Sequence, residues 1–227
     1  MTATNPLRVL GIDPGTASTG FGVVDLRAQA LSTVTGGVIS TASGLPLERR
    51  LAAIAGRLSE LLDEHEPDAV AIEEVFFGRN ARSAFAVGQA RGAVLAAAGA
   101  RDVPCFSYTP QAVKLAVCGS GAAGKDQVQR MVAALLGLEA PPASDHAADA
   151  LALAICHAHN TSLASAAGAK HATGGGAEGA EGAKPPCGAQ PPDTKSASAA
   201  GAKHATLGGA QPPDTRGVRA QAQNTNT

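Results

Sequence analysis

The stretch RVLGIDPGTASTGFGVV, residues 8–24, puts a carboxylate where a strand should be dry. Val9, Leu10, Gly11 and Ile12 make a short apolar run that ends at Asp13, then Pro14, Gly15 and Thr16 supply turn chemistry, and residues 20–24 resume the apolar character. The pattern predicts two paired strands, at 8–13 and 20–25, followed by a third at 30–39. An ionised carboxylate at the end of a buried strand is costly unless a cation or hydrogen-bond donors meet it. Asp13 therefore marks a place where something compensates charge.

Further along, Leu51, Ile54, Leu58, Leu61 and Leu62 recur at helical spacing and predict a helix over 45–65. The segment DAVAIEE, residues 68–74, has the β-branched content of a short buried strand and ends in two carboxylates, Glu73 and Glu74, which strand alternation sends to opposite faces. An Ala-rich helix follows over 80–100 with Asn80 as its cap, then a strand at 104–108. Thr109 and Pro110 have the cap-then-Pro order that starts a helix running to about residue 117. The loop GSGAAGK, 119–125, leads into another helix, and Ser144 caps a last one, DHAADALALAICHAH. Three consecutive strands followed by alternating helices and strands predict an α/β fold, a mixed sheet flanked by helices.

Composition changes near Asn160 of the 227 residues, dividing the chain into a domain at 1–160 and a low-complexity tail at 161–227. SAAGAKHAT occurs at 165–173 and 198–206, GAQPPDT at 188–194 and 209–215. Rich in Ala, Gly and Pro, this tail cannot offset its ordering entropy by burial and is expected to be disordered. The four cysteines lack C-x-x-C spacing, which excludes a zinc ribbon and a disulfide framework. No stretch approaches the roughly 18 apolar residues of a membrane span, so a soluble cytoplasmic protein with no membrane association is expected. The formal net charge is only −1, yet residues 75–130 carry seven basic residues against two acids. Such asymmetry permits a polyanion-binding face on a near-neutral protein.

Three places put carboxylates at element ends: Asp13, the Glu73–Glu74 pair, and the helix start containing Asp145, His146 and Asp149. Residues three or four apart on a helix share a face, so His146 or Asp145 can join Asp149. A single acid at a helix start is explained by the macrodipole alone. Acids from two strands and a helix together suit a divalent-cation site, where two ions about 3.5–4 Å apart act on a phosphodiester. The G-x-D-x-G-T hairpin also opens actin-like ATPases and sugar kinases, which makes nucleotide binding the main alternative. Those proteins are two-lobed and longer, and GSGAAGK lacks the Ser or Thr that follows the lysine of a phosphate-cradling loop.

Four blocks in order, GIDPGTASTGFGVV, AIEEVFFGRNARSAFAVGQARG, PQAVKLAVCGSGAAGKDQVQRMV and SDHAADALALAICH, resemble the RuvC family of Holliday-junction endonucleases over about residues 8–159. The resemblance implies a ribonuclease-H-like fold, a homodimer, and metal-dependent paired symmetric nicks in strands of like polarity at a four-way junction. It also implies DNA recombination and repair alongside the RuvA and RuvB branch-migration proteins. The family's metal-binding positions fall on Asp13, Glu73, His146 and Asp149, leaving Glu74 aside and giving Asp145 only a helix-start role. Mg²⁺ or Mn²⁺ is implied, two ions per site, and the imidazole favours the softer Mn²⁺. Lys114 and Lys125 match lysines near the DNA, with Lys125 counted among the catalytic residues for the charge that develops on the scissile phosphate. Phe76 matches a phenylalanine that stacks on bases, while Arg79 and Arg82, with Arg91, are expected to contact the DNA backbone. His157 and His159, two apart, are read as charge partners at a helix C-terminus. A junction-binding module without cleavage is disfavoured by the intact acid set.

Overall fold

The computed structural model describes residues 5–74 and 81–172, with side chains at 5–74 and 84–162. The first three strands, β1 (Leu7–Asp13), β2 (Ser18–Arg27) and β3 (Ala30–Ser40), form an antiparallel meander in which Asp13 lies opposite Gly20. Ala28 and Gln29 turn β2 into β3 at φ 47° and 74°, the two-residue geometry whose twist matches the flanking strands. Helix α1 (Leu47–His65) carries the chain back to β4 (Ala69–Glu73), which runs parallel to β1, and α2 (Ala81–Gly99) crosses to β5 (Cys105–Tyr108), parallel to β4. The sheet order is β3-β2-β1-β4-β5. Three helices follow: α3 (Pro110–Cys118), α4 (Lys125–Leu136) and α5 (Asp145–Ala172). This is the expected mixed sheet flanked by helices.

Local signals fix the helix ends. Thr109 Oγ1 accepts from Ala112 N at 3.1 Å in front of Pro110, and Gly119 closes α3 in the left-handed region at φ 71°. At α5, the Ser144 carbonyl accepts the first intrahelical bond, from Ala148 N at 3.0 Å.

Strand alternation divides the core in two. Leu10, Ile12, Phe21, Val23, Val70 and Ile72 face α1 and α2, where Ile54, Leu58, Leu61, Leu62, Ala90 and Val94 are buried against them. Val9, Val24, Ala71 and Tyr108 face the other way, toward α3, α4 and α5. On α5, Ala147, Ala148, Ala150 and every residue of 151–156 are buried. That helix lies close enough that a Cβ added at Gly11 would overlap the Ala150 carbonyl, and one at Gly20 the His146 carbonyl. Glycine weakens a strand, but here it admits a helix backbone onto the sheet.

Two sequence expectations meet a different outcome. Helix α5 runs past Asn160 to Ala172, in keeping with its Ala-rich sequence, and Gln29 Nε2 donates to Ser162 Oγ at 2.7 Å. His157 is therefore mid-helix rather than a C-terminal charge partner. It is 5% exposed, held by burial down to about 4 and hence neutral, with Tyr108 Oη 2.7 Å from its Nδ1. His159 reaches the Ala116 carbonyl at 3.4 Å. Residues 173–227, the greater part of the expected tail, lie outside the described residues. Among the described residues, no helix is long and apolar enough to cross a membrane.

Candidate active site

Parallel pairing sets Ile12 opposite Ile72, so the residues that follow, Asp13 and Glu73, become neighbours at the carboxyl ends of β1 and β4. Both lie on the face that alternation gives to α5. The first turn of α5 settles over them because Gly20, opposite Asp13, has no side chain to hold His146 away. As a result His146 Nδ1 stands 2.7 Å from Asp13 Oδ2, with Asp149 one turn further along the helix.

The electrostatics are those of crowded negative charge. Burial, followed by the charges of Asp13 and Asp149 and a side-chain hydrogen bond with Asp13, pushes the Glu73 carboxyl up to about 7. Burial also pushes Asp149 up, reinforced by Asp13 and opposed by Lys125. Near neutral pH the Glu73 carboxyl thus retains a proton for a substantial part of the time. Glu74 is exposed, its amide bonded to the Tyr108 carbonyl at 2.9 Å.

Cations stand beside the carboxylates. Lys125 Nζ is 2.9 Å from Asp145 Oδ2 and 3.9 Å from Asp149 Oδ2. A cleft of about 220 Å³ is lined by Glu73, Asp149, Lys114 and Lys125 and walled by Pro110, Val113, Val128, Ala152 and Leu153. The two ammonium groups suit an anionic ligand such as a phosphodiester, whereas the carboxylates call for a compensating cation.

The donor chemistry also suits a divalent cation, because hard oxygen ligands that repel one another are relieved by positive charge. Among the described residues, no group of three His, Cys, Asp or Glu side chains stands ready to hold a metal ion. Asp13 is instead shared between His146 and Glu73, so a cation held by these residues would have to compete with the Glu73 proton.

Not every expected contact comes to this place. Phe76 and Arg79 lie outside the described residues; Arg82 falls in the first turn of α2, but its side chain lies outside the description. Arg91 donates to Ser107 Oγ at 2.7 Å, on the sheet face away from the carboxylates. Sequence reasoning gave no site role to Gly11, Gly20, Gln129 or Asp145. The signal for the glycines was present, since a glycine inside a buried strand marks close approach by another backbone.

Residues 9–157 match the family model described as "Crossover junction endodeoxyribonuclease RuvC". A crossover junction endodeoxyribonuclease RuvC of Pelotomaculum thermopropionicum is 49% identical over 152 residues, covering 67% of this chain and 93% of that protein. The RuvC structure of Thermus thermophilus superposes with a TM-score of 0.65 at 41% identity, covering 69% of this chain and 96% of that one. A second T. thermophilus RuvC, solved in complex with Holliday junction substrate, gives 0.67 at 42% identity, covering 70% and 96%. The matched region runs from β1 through the site-bearing part of α5, and on that basis the chain belongs to the RuvC family of crossover junction endodeoxyribonucleases.

Proposed function

We propose that this crossover junction endonuclease resolves Holliday junctions by paired symmetric nicks in strands of like polarity, with divalent cations held by Asp13, Glu73, His146 and Asp149. The observation that carries the reading is the convergence of carboxylates from β1, β4 and α5, with an ammonium 3.9 Å from one of them. When bound, two Mg²⁺ or Mn²⁺ ions supply Lewis-acid polarisation of the water and of the scissile phosphate. The strand ends fix Asp13 and Glu73, and His146 Nδ1 orients Asp13 Oδ2. Lys114 and Lys125 offer ammonium groups to non-bridging oxygens, where charge builds in the transition state. The water oxygen bonds to phosphorus, the bond to the 3′ oxygen breaks, and a proton passes to that oxygen, leaving a 5′-phosphate and a 3′-hydroxyl.

Two like nicks need two copies of one site, so the working species is a homodimer. It acts in the cytoplasm with RuvA and RuvB in recombination and repair. Phe76, Arg79 and Arg82 complete the DNA contacts by stacking and by backbone pairing.

The test is nicking of a synthetic mobile four-way junction by wild-type protein and Glu73→Gln. Wild type should nick symmetrically, faster with Mn²⁺ than with Mg²⁺, whereas Glu73→Gln should bind the junction and nick it slower by about 1000-fold. Binding without nicking by the wild type would instead mark a binding module. Full activity of Glu73→Gln would remove that carboxylate from the mechanism.

A further inference from the structure

Lys125 stands where local physics disfavours it. It is the first residue of α4, at the positive end of the helix macrodipole, and Gly124 before it provides no side-chain cap. Two carboxylates answer that charge: Asp145 at 2.9 Å and Asp149 at 3.9 Å. Asp145 does more than neutralise, because its other oxygen, Oδ1, accepts from Gln129 Nε2 at 2.6 Å. Lys125 and Gln129 are four residues apart, so one face of α4 grips the first residue of α5 at two points. The Asp145 carboxylate is thereby fixed in orientation, and it fixes in turn the ammonium that donates to it.

We propose that Asp145, braced by Gln129, is a positioning residue that holds Lys125 Nζ beside Asp149, so that the ammonium meets an incoming phosphodiester already aimed. This role rests on the nuclease reading above. A lysine without such a partner spreads over many rotamers of its four-carbon stem, and catalysis by a pre-placed charge loses that advantage. Both Lys125 and Asp145 are more than half exposed, at 53% and 60% of their side chains, so their pairing adds little to fold stability. Its contribution is geometric. An opposite role, in which Asp145 withholds Lys125 from DNA, predicts faster and not slower nicking by Asp145→Asn.

The experiment is single-turnover nicking of a pre-bound four-way junction in Mn²⁺ by wild type, Asp145→Asn, Asp145→Glu, Lys125→Ala and the Lys125→Ala/Asp145→Asn double variant. Junction affinity and Tm are measured for each. Asp145→Asn should slow the nicking step about 10-fold, with junction affinity and Tm unchanged, and Asp145→Glu should recover part of the rate. In the Lys125→Ala background, Asp145→Asn should have no further effect, because the residue acts only through the lysine. The tether is also read without DNA, from the ¹⁵N-ammonium NMR signal of Lys125, which should be retained in the wild type and averaged away in Asp145→Asn. Nicking by Asp145→Asn at or above the wild-type rate overturns the proposal alone. So does equal slowing in both lysine backgrounds, or an ammonium signal indifferent to the substitution. Wild-type protein that does not nick overturns the nuclease reading and this role with it, an outcome distinct from the others.

Discussion

On the α1/α2 side of the sheet the central strands present Leu10, Ile12, Phe21, Val23, Val70 and Ile72, and the helices there stand off at the distance those side chains require. On the α5 side the same strands present Gly11, Gly20, Gly22 and Ala71 before ending in Asp13 and Glu73. The first face is built from volume and the second from its removal. Omitting side chains lets a helix backbone rest on the strands, and only then do His146 and Asp149 reach acids fixed on β1 and β4. The cost is a face with less apolar area per strand residue, offset by an α5 that is buried along most of its described length.

The contrast is broken most severely at Gly20. Gly20→Val drives a branched side chain into the His146 carbonyl, a backbone atom that cannot move without α5. Nicking should fall about 100-fold as the helix start is displaced. Ile54→Ala, a cavity on the opposite face, should lose about 2–5 kcal/mol of stability in chemical denaturation yet nick at the wild-type rate below its Tm. Equal loss of activity in the two variants would show that stability, rather than approach, governs the site.

A smaller effect sharpens the comparison within the α5 face itself. Burial holds His157 down to about 4 and pushes Tyr108 up to about 12, so both are neutral and share a hydrogen bond between the tyrosine hydroxyl and His157 Nδ1. Tyr108→Phe leaves that nitrogen unsatisfied and should cost about 1–3 kcal/mol in denaturant unfolding, without changing the nicking rate. Because the folded pKa of His157 is depressed, its contribution to stability is present above its ordinary value near 6.5 and is lost as pH falls toward 4. A change in nicking would tie this buried pair to the chemistry.

Much of this could be read in the residues. Short apolar runs ending in Asp13, and again in Glu73, announced strands whose carboxyl ends carry charge, and the period-two rule separated Glu73 from Glu74. The polar start of an otherwise apolar helix drew attention to Asp145, His146 and Asp149 together, and the family resemblance chose His146 and Asp149 among them. What could not be read was distance between elements. Neither the seating of α5 on Gly11 and Gly20 nor the grip of Lys125 and Gln129 on Asp145 follows from local propensity, since each joins segments far apart in sequence. His157 was misplaced for a related reason. A composition change near Asn160 resembled a helix end, whereas Ala-rich sequence continues the helix beyond it.

The central claim is that Asp13, Glu73, His146 and Asp149 act as one cation site, and calorimetric titration with Mn²⁺ tests it most directly. Glu73 is raised to about 7, so at pH 8 its carboxylate is available and at pH 6 an entering cation must first displace a proton. Wild-type affinity should therefore weaken about tenfold or more between pH 8 and pH 6. Asp149→Asn should bind poorly at both, and Glu73→Gln should bind poorly with much of the pH dependence gone. Mn²⁺ affinity unchanged by either substitution would contradict the claim.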